Sequence, residues 1–135
     1  MKVLVDTCVW SLALRKSNFD KDNPNVKGLI ELIGQGRTQI FGPIRQEILS
    51  GIKSKSQYIK LRNYLAWFPD IPVITHDFIK AAEYYNLCRK KGVQGSNTDF
   101  LICAISTRLE IGIFTTDNDF AHFQDILPIK LHFPT

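Results

Sequence analysis

Residues 2–10 read KVLVDTCVW. Val3, Leu4 and Val5 form a continuous apolar run of the kind a buried strand requires. The next residue is a carboxylate, Asp6, and directly behind it TCVWSLALR has the composition of a helix over 7–15. A short core strand that hands the chain to a helix through a charged residue is the beginning of a crossover connection, which favours a parallel sheet covered on both faces. In such sheets ligands sit beyond the carboxyl ends of the strands, where the strand order reverses. Asp6 is thereby placed at an edge that forms sites.

Working outward, the remaining chain alternates in the same way. A polar loop, KSNFDKDNPN, is followed by a helix that Pro24 opens behind an Asn23 cap; Val26, Leu29, Ile30 and Ile33 give it an apolar face, and Gly34 and Gly36 stop it. TQIF is a short strand. Pro43 opens a helix carrying Ile44, Ile48 and Ile52, and Ser54 caps another that runs to about Trp67. Residues 71–74 form an edge strand, because Pro72 cannot donate to a ladder. Thr75 caps a helix over 76–91 that ends at Gly92, and GVQGSN is a loop. A helix over 98–109, a strand in IGIFT, a short helix over 118–123 and a final strand in IKLHF complete the reading. The expected architecture is one α/β domain spanning residues 1–135.

Composition bounds the function classes. With 135 residues and 44% hydrophobic content, one domain with a sizeable core is the default. No apolar run is long enough to span a membrane and no secretory leader is legible, so a cytoplasmic protein is expected. Cys8, Cys88 and Cys103 are odd in number and follow no paired spacing, against both a disulfide framework and a zinc site. His76, His122 and His132 are scattered over unrelated segments, which disfavours a histidine-based hydrolase. The 17 bases against 13 acids give a net charge of +4, a weak pointer to a polyanion. It sharpens if five acids are gathered in one site, because eight then remain against the 17 bases.

Those acids are Asp6, Glu47, Asp99, Asp117 and Asp119. Asp117 repeats the pattern of Asp6, a strand that ends in a carboxylate, with Asp119 two residues on. For either alone, a turn residue or helix N-cap is an equally good reading. Glu47 shares its helix with Ile44 and Ile48, and Asp99 with Ile102 and Cys103, so both faces are expected to look inward. The competing roles are a helix N-terminal charge for Asp99 and a solvated partner of Arg45 or Lys53 for Glu47. Four acids approaching one rim would repel one another unless a divalent cation neutralised them. An all-oxygen carboxylate site suits Mg²⁺ or Mn²⁺ rather than zinc.

In this order and spacing, VLVDTCVW, the glutamate of IRQEILSG, NTDFLICAIS and FTTDNDF resemble the PIN domain, and within it VapC toxins of toxin–antitoxin pairs. The resemblance covers essentially the whole chain. It implies an α/β/α sandwich with a parallel sheet of four to five strands and a Mg²⁺- or Mn²⁺-dependent endoribonuclease. The family's acidic quartet carries over to Asp6, Glu47, Asp99 and Asp117, with Asp119 matching a less constant fifth acid. Asp6 and Asp99 would hold the metal most directly, Glu47 and Asp117 would complete the shell, and Thr116 would supply a supporting hydroxyl. A serine is frequent two places after the first aspartate, where this chain has Cys8. The resemblance also implies a homodimer and a cognate antitoxin.

Lys53, Lys55, Lys60 and Arg62, interleaved with Tyr58 and Tyr64, have the composition of a strip that tracks an RNA backbone, or equally of a solvated helix face. Arg89, Lys90 and Lys91 complement a helix C-terminus. A DNA nuclease or phosphatase would use the same acids, although a haloacid-dehalogenase-like phosphatase wants an aspartate where Cys8 stands. A PIN-like module that binds RNA or a partner without cutting would be expected to have lost one of the acids.

Overall fold

The computed structural model describes residues 1–15 and 20–135. The first four residues of the expected loop at 16–25 lie outside the described residues. Among the described residues the chain forms β1 (Val3–Val5), α1 (Thr7–Leu14), α2 (Pro24–Gly34), β2 (Thr38–Gln39), α3 (Gly42–Leu49), α4 (Lys55–Leu65), α5 (Thr75–Lys90), α6 (Asn97–Leu109), β3 (Gly112–Phe114) and α7 (Asp119–Gln124).

The sheet has three strands in the order β2-β1-β3, all parallel. Val3, Leu4 and Val5 are each no more than 1% exposed, so β1 is covered on both faces as its unbroken apolar run requires. The chain leaves β1 toward β2 and later returns past it to β3, so the connections diverge between β1 and β3. The crevice at their carboxyl ends is the switch point of this topology, and both strands deliver aspartates there.

Four to five strands were expected, and among the described residues the sheet has three. In place of the expected edge strand at 71–74 there is one bridge just ahead of it, Ile40 to Asp70, with Ile71 N donating to Ile40 O at 2.9 Å. Pro72 follows at once and has no N–H to continue the ladder. On the other side IKLHF also contributes a single bridge, Ile113 to Leu131. Its continuation is drawn off the sheet onto α2, where Pro134 lies so close that a Cβ on Gly28 would meet it at 2.8 Å.

The helices start and stop largely where their residues direct. Asn23 Oδ1 accepts from Asn25 N ahead of Pro24, and Ser54 Oγ accepts from Gln57 N. Gly92 takes a φ of +77° just after α5, a conformation that costs glycine little. Thr75 does not cap α5 but is its first residue; Asp77 instead reaches back to accept from Ile74 N at 3.0 Å. Residues Phe100 to Ser106 of α6 are buried without a break, so this helix is core on all sides. It packs extensively on α5, and Arg108 near its end forms two hydrogen bonds to the fully buried Asp77, at 2.7 and 2.9 Å.

Candidate active site

Asp6 is 7% exposed, at the junction of β1 and α1. It caps α1 through its own side chain: Oδ1 accepts from Thr7 N at 2.8 Å. Oδ2 accepts from the Thr115 hydroxyl at 2.8 Å and lies 3.6 Å from the Cys8 thiol. Burial pushes the Asp6 carboxyl above its ordinary value, and the charge of Asp99 adds to that shift. The hydrogen bonds from Thr115, Thr7 and Cys8 oppose it without cancelling it.

Asp99 stands at the third position of α6 in a reciprocal capping box. Its amide donates to Ser96 Oγ and its Oδ2 accepts from Ser96 N, each at 3.1 Å. A helix N-terminus favours a negative charge by only about 0.3–1 kcal/mol. That is too little here: burial first, then the charges of Asp117 and Glu47, push the Asp99 carboxyl above its ordinary value. Cys103, one turn further along α6, is buried, and its thiol is held protonated by that burial with help from the charges of Asp99 and Asp6.

Glu47 departs from expectation in its burial. Ile44 and Ile48 face the core, but Glu47 is exposed, and its Oε1 accepts from the Thr7 hydroxyl at 2.6 Å. The helix has room for both because consecutive residues differ by about a quarter turn. Arg45 does not pair with it; that side chain bonds Asp70 at 3.0 Å and the carbonyls of Leu65 and Phe68. Asp117 is also exposed and receives Asp119 N on its Oδ1 at 2.9 Å.

Hydrogen bonds through Thr7 and Thr115 thus link Asp6, Glu47 and the Asp117 loop, and Asp99 is connected to this group through charge alone. Sequence reading singled out Thr116 as the supporting hydroxyl, whereas Thr115 provides the contact. Thr115 Oγ1 donates to Asp6 and accepts from Asp117 N at 3.0 Å, while Thr116 contributes its backbone N–H to Cys8 Sγ at 3.3 Å. Strand alternation is the signal that finds it, since two adjacent threonines at a strand end point to opposite sides. Cys8 Sγ also lies 3.4 Å from Thr115 Oγ1, so the thiol occupies the junction between the β1–α1 turn and the loop after β3.

Among the described residues, no three His, Cys, Asp or Glu side chains stand close enough to hold a metal ion as they are oriented. The donor chemistry nevertheless fits a hard cation. The group is all carboxylate and hydroxyl oxygen, and like charge adds to the shift at both acids, from Asp99 at the buried Asp6 and from Asp117 and Glu47 at the half-buried Asp99, a repulsion that a divalent charge relieves.

Lys53, Lys55, Lys60 and Arg62 are all exposed, beyond α3 and on α4. Trp10, at the other extreme, is fully buried and its indole N–H donates to Val5 O at 3.1 Å, a core role.

A family model, the PIN domain, matches residues 3–126. No curated protein sequence matches the chain. Among solved structures, the chain is similar to FitAcB from Neisseria gonorrhoeae, with 16% identity, 96% of each chain covered and a TM-score of 0.76. It is similar to VapBC2 from Rickettsia felis bound to a promoter DNA fragment, with 18% identity, 98% of each chain covered and a TM-score of 0.72. A toxin–antitoxin complex from Klebsiella pneumoniae gives 16% identity, 96% of this chain and 100% of that one, and a TM-score of 0.67. At these identities the likeness is one of fold.

Proposed function

Because the chain belongs to the PIN domain family, we infer that it is a divalent-metal-dependent endoribonuclease, the toxin of a type II toxin–antitoxin pair acting in the cytoplasm. The observation that carries this reading is the gathering of carboxylates at the β1/β3 crevice, where burial raises both Asp6 and Asp99, the charge of Asp99 adds to the shift at Asp6, and the charges of Asp117 and Glu47 add to the shift at Asp99. A scaffold needs no such arrangement, and burying uncompensated acids costs several kcal/mol on the usual estimates.

Asp6 and Asp99 would hold Mg²⁺ or Mn²⁺ most directly, with Glu47 and Asp117, and Asp119 beside it, completing the shell. When bound, the ion supplies positive charge that acidifies a water and offsets the charge developing on a phosphodiester. The protein's own part is orientation. Thr115 fixes Asp6 and the start of the Asp117 loop at once, and the Thr7 hydroxyl holds one oxygen of Glu47. Glu47 and Asp117, exposed at the rim, are suited to orient the attacking water and accept its proton. Lys53, Lys55, Lys60 and Arg62 would follow the RNA backbone as a strip of positive charge. The antitoxin reading is supported by the neighbours of known fold, which include a toxin–antitoxin complex. A homodimer is part of the same proposal.

Incubation of the purified protein with total RNA tests the reading. Cleavage is expected with Mg²⁺ or Mn²⁺, to stop with chelator, and to be restored poorly by zinc; undiminished cutting by verified metal-free protein overturns it. Thr115→Val keeps the side chain's shape and removes its hydroxyl. Turnover is expected to fall about 10- to 100-fold, the usual cost of losing a group that orients a metal ligand. Circular dichroism should show the fold retained, and unchanged turnover would show that Asp6 orients itself.

A further inference from the structure

One cavity, beside the loop between α5 and α6 and the first turn of α6, has a composition that the catalytic reading leaves without a purpose. Tyr85 and Arg89 lie one turn apart on α5, and Arg89 Nη1 donates to the Tyr85 hydroxyl at 3.3 Å. The Tyr85 ring meets Phe100 of α6 edge-on, with centroids 5.5 Å apart, and Phe100 in turn packs against Phe123 of α7 at 4.9 Å. Across this aromatic floor runs the loop between α5 and α6. At Gly95 it presses so close that a Cβ there would sit 2.5 Å from Phe123 Cζ and 3.1 Å from Phe100 Cε2. Tyr85, Arg89, Val93, Gln94, Gly95 and Phe100 enclose about 120 Å³.

The placement matters as much as the lining. Phe100 is the residue after Asp99, and Phe123 lies on the helix that Asp119 begins. The same loop continues into Ser96, which caps the helix carrying Asp99. Arg89 is exposed and forms no ion pair with any carboxylate among the described residues. A cation that merely complements the end of α5 needs neither a tyrosine partner nor a cavity. An aromatic face, a planar guanidinium and an amide side chain around a small opening are together what recognition of a single unstacked base requires.

We propose that this cavity is a subsite for one unpaired base of the RNA substrate, that guanine is the base it takes, and that its occupancy fixes where the strand is cut. Guanine presents two adjacent acceptors, O6 and N7, which match the fork of a guanidinium and not the point charge of a lysine. Tyr85, which is half-buried, supplies apolar ring surface over the buried Phe100, and Gln94 supplies both a donor and an acceptor for a remaining edge. The proposal rests on the ribonuclease reading.

Binding measured without metal separates the two. Metal-free protein in chelator is titrated into labelled single-stranded oligouridines that carry one central G or one central A, with anisotropy as the readout. The wild type is expected to favour the G-containing strand by about tenfold, the discrimination of one bidentate contact. Arg89→Lys should lose that preference while keeping the affinity for plain oligouridine and its salt dependence; Arg89→Ala should lose the preference and lessen the salt slope as well. Because Arg89 is exposed, neither change threatens the fold. Mapping of cut sites with Mg²⁺ should show the same loss of base preference in both variants. Preference retained by Arg89→Lys, or absent from the wild type, overturns the subsite while leaving the nuclease reading in place. Preference that depends on Arg89 in a protein that cuts nothing would sustain the subsite and overturn the nuclease. A wild type that binds none of the strands overturns the subsite, and one that in addition cuts no RNA with Mg²⁺ overturns both.

Discussion

Replacing Asp99 by asparagine is expected to lower RNA cleavage by at least about two orders of magnitude while leaving the metal-free protein as stable as before at neutral pH, or more so. An asparagine oxygen can still accept from Ser96 N, where Asp99 Oδ2 does so at 3.1 Å, and the Asp99 amide bond to Ser96 Oγ is untouched. What the substitution removes is a charge that burial, Asp117 and Glu47 all disfavour. A carboxyl whose folded value is raised adds stability below its unfolded value and loses it as the pH climbs through the folded one. The original protein should therefore lose stability relative to Asp99→Asn between acid and neutral pH. Mg²⁺ should stabilise the original by binding the folded state, and stabilise the variant less. Melting curves from pH 4 to 8, with and without Mg²⁺, carry the comparison. A metal-free loss of about 1 kcal/mol or more, the size of a missing helix cap, together with retained cleavage would remove Asp99 from the site.

The largest stability effect is expected elsewhere, at Asp77→Ala. Its carboxylate is fully buried, takes two bonds from Arg108 and one from Ile74 N, and so ties the start of α5 to the end of α6. Arg108 also holds Pro72 O at 3.1 Å. Removing one partner of a pair buried on this side costs about 3 kcal/mol or more, which for a domain of this size means a melting point roughly 10 °C lower. Burial alone would raise the Asp77 carboxyl, but the Arg108 hydrogen bonds outweigh it and hold the group below its ordinary value. The sign is opposite to that at Asp99. Stability from Asp77 is full above the unfolded value and disappears as the pH falls through the depressed folded one. Original and variant should thus converge in acid. A neutral-pH loss well under 1 kcal/mol would place the pair with ordinary surface bridges.

How much of this was readable beforehand depended on whether a signal was local. β1, β3 and α6 were legible because unbroken apolar runs next to Asp6, Asp99 and Asp117 leave few alternatives. The outermost strands were misread, since the apolar residues of 71–74 and IKLHF speak for extended backbone but not for a neighbour to pair with. Glu47 was expected inward from its isoleucine neighbours, yet a quarter turn separates adjacent helical residues and puts it outside. Choosing Thr115 over Thr116 needed the register of β3 against β1. The Tyr85, Arg89 and Phe100 cavity was beyond reach altogether, because its walls are brought together only when α5, α6 and the loop between them close on Phe123.

The single-residue bridges that flank the sheet have a consequence for how the protein behaves at high concentration. Beyond β2 the outward neighbour is Asp70, with Ile71 and then Pro72 behind it, and beyond β3 it is Leu131, just before the chain turns away onto α2. Neither margin offers a long straight row of free amides and carbonyls on which another molecule's backbone could zip. Crowding in an overexpressing cell therefore has little template for fibril-like growth, and any self-association must run through side-chain surfaces instead.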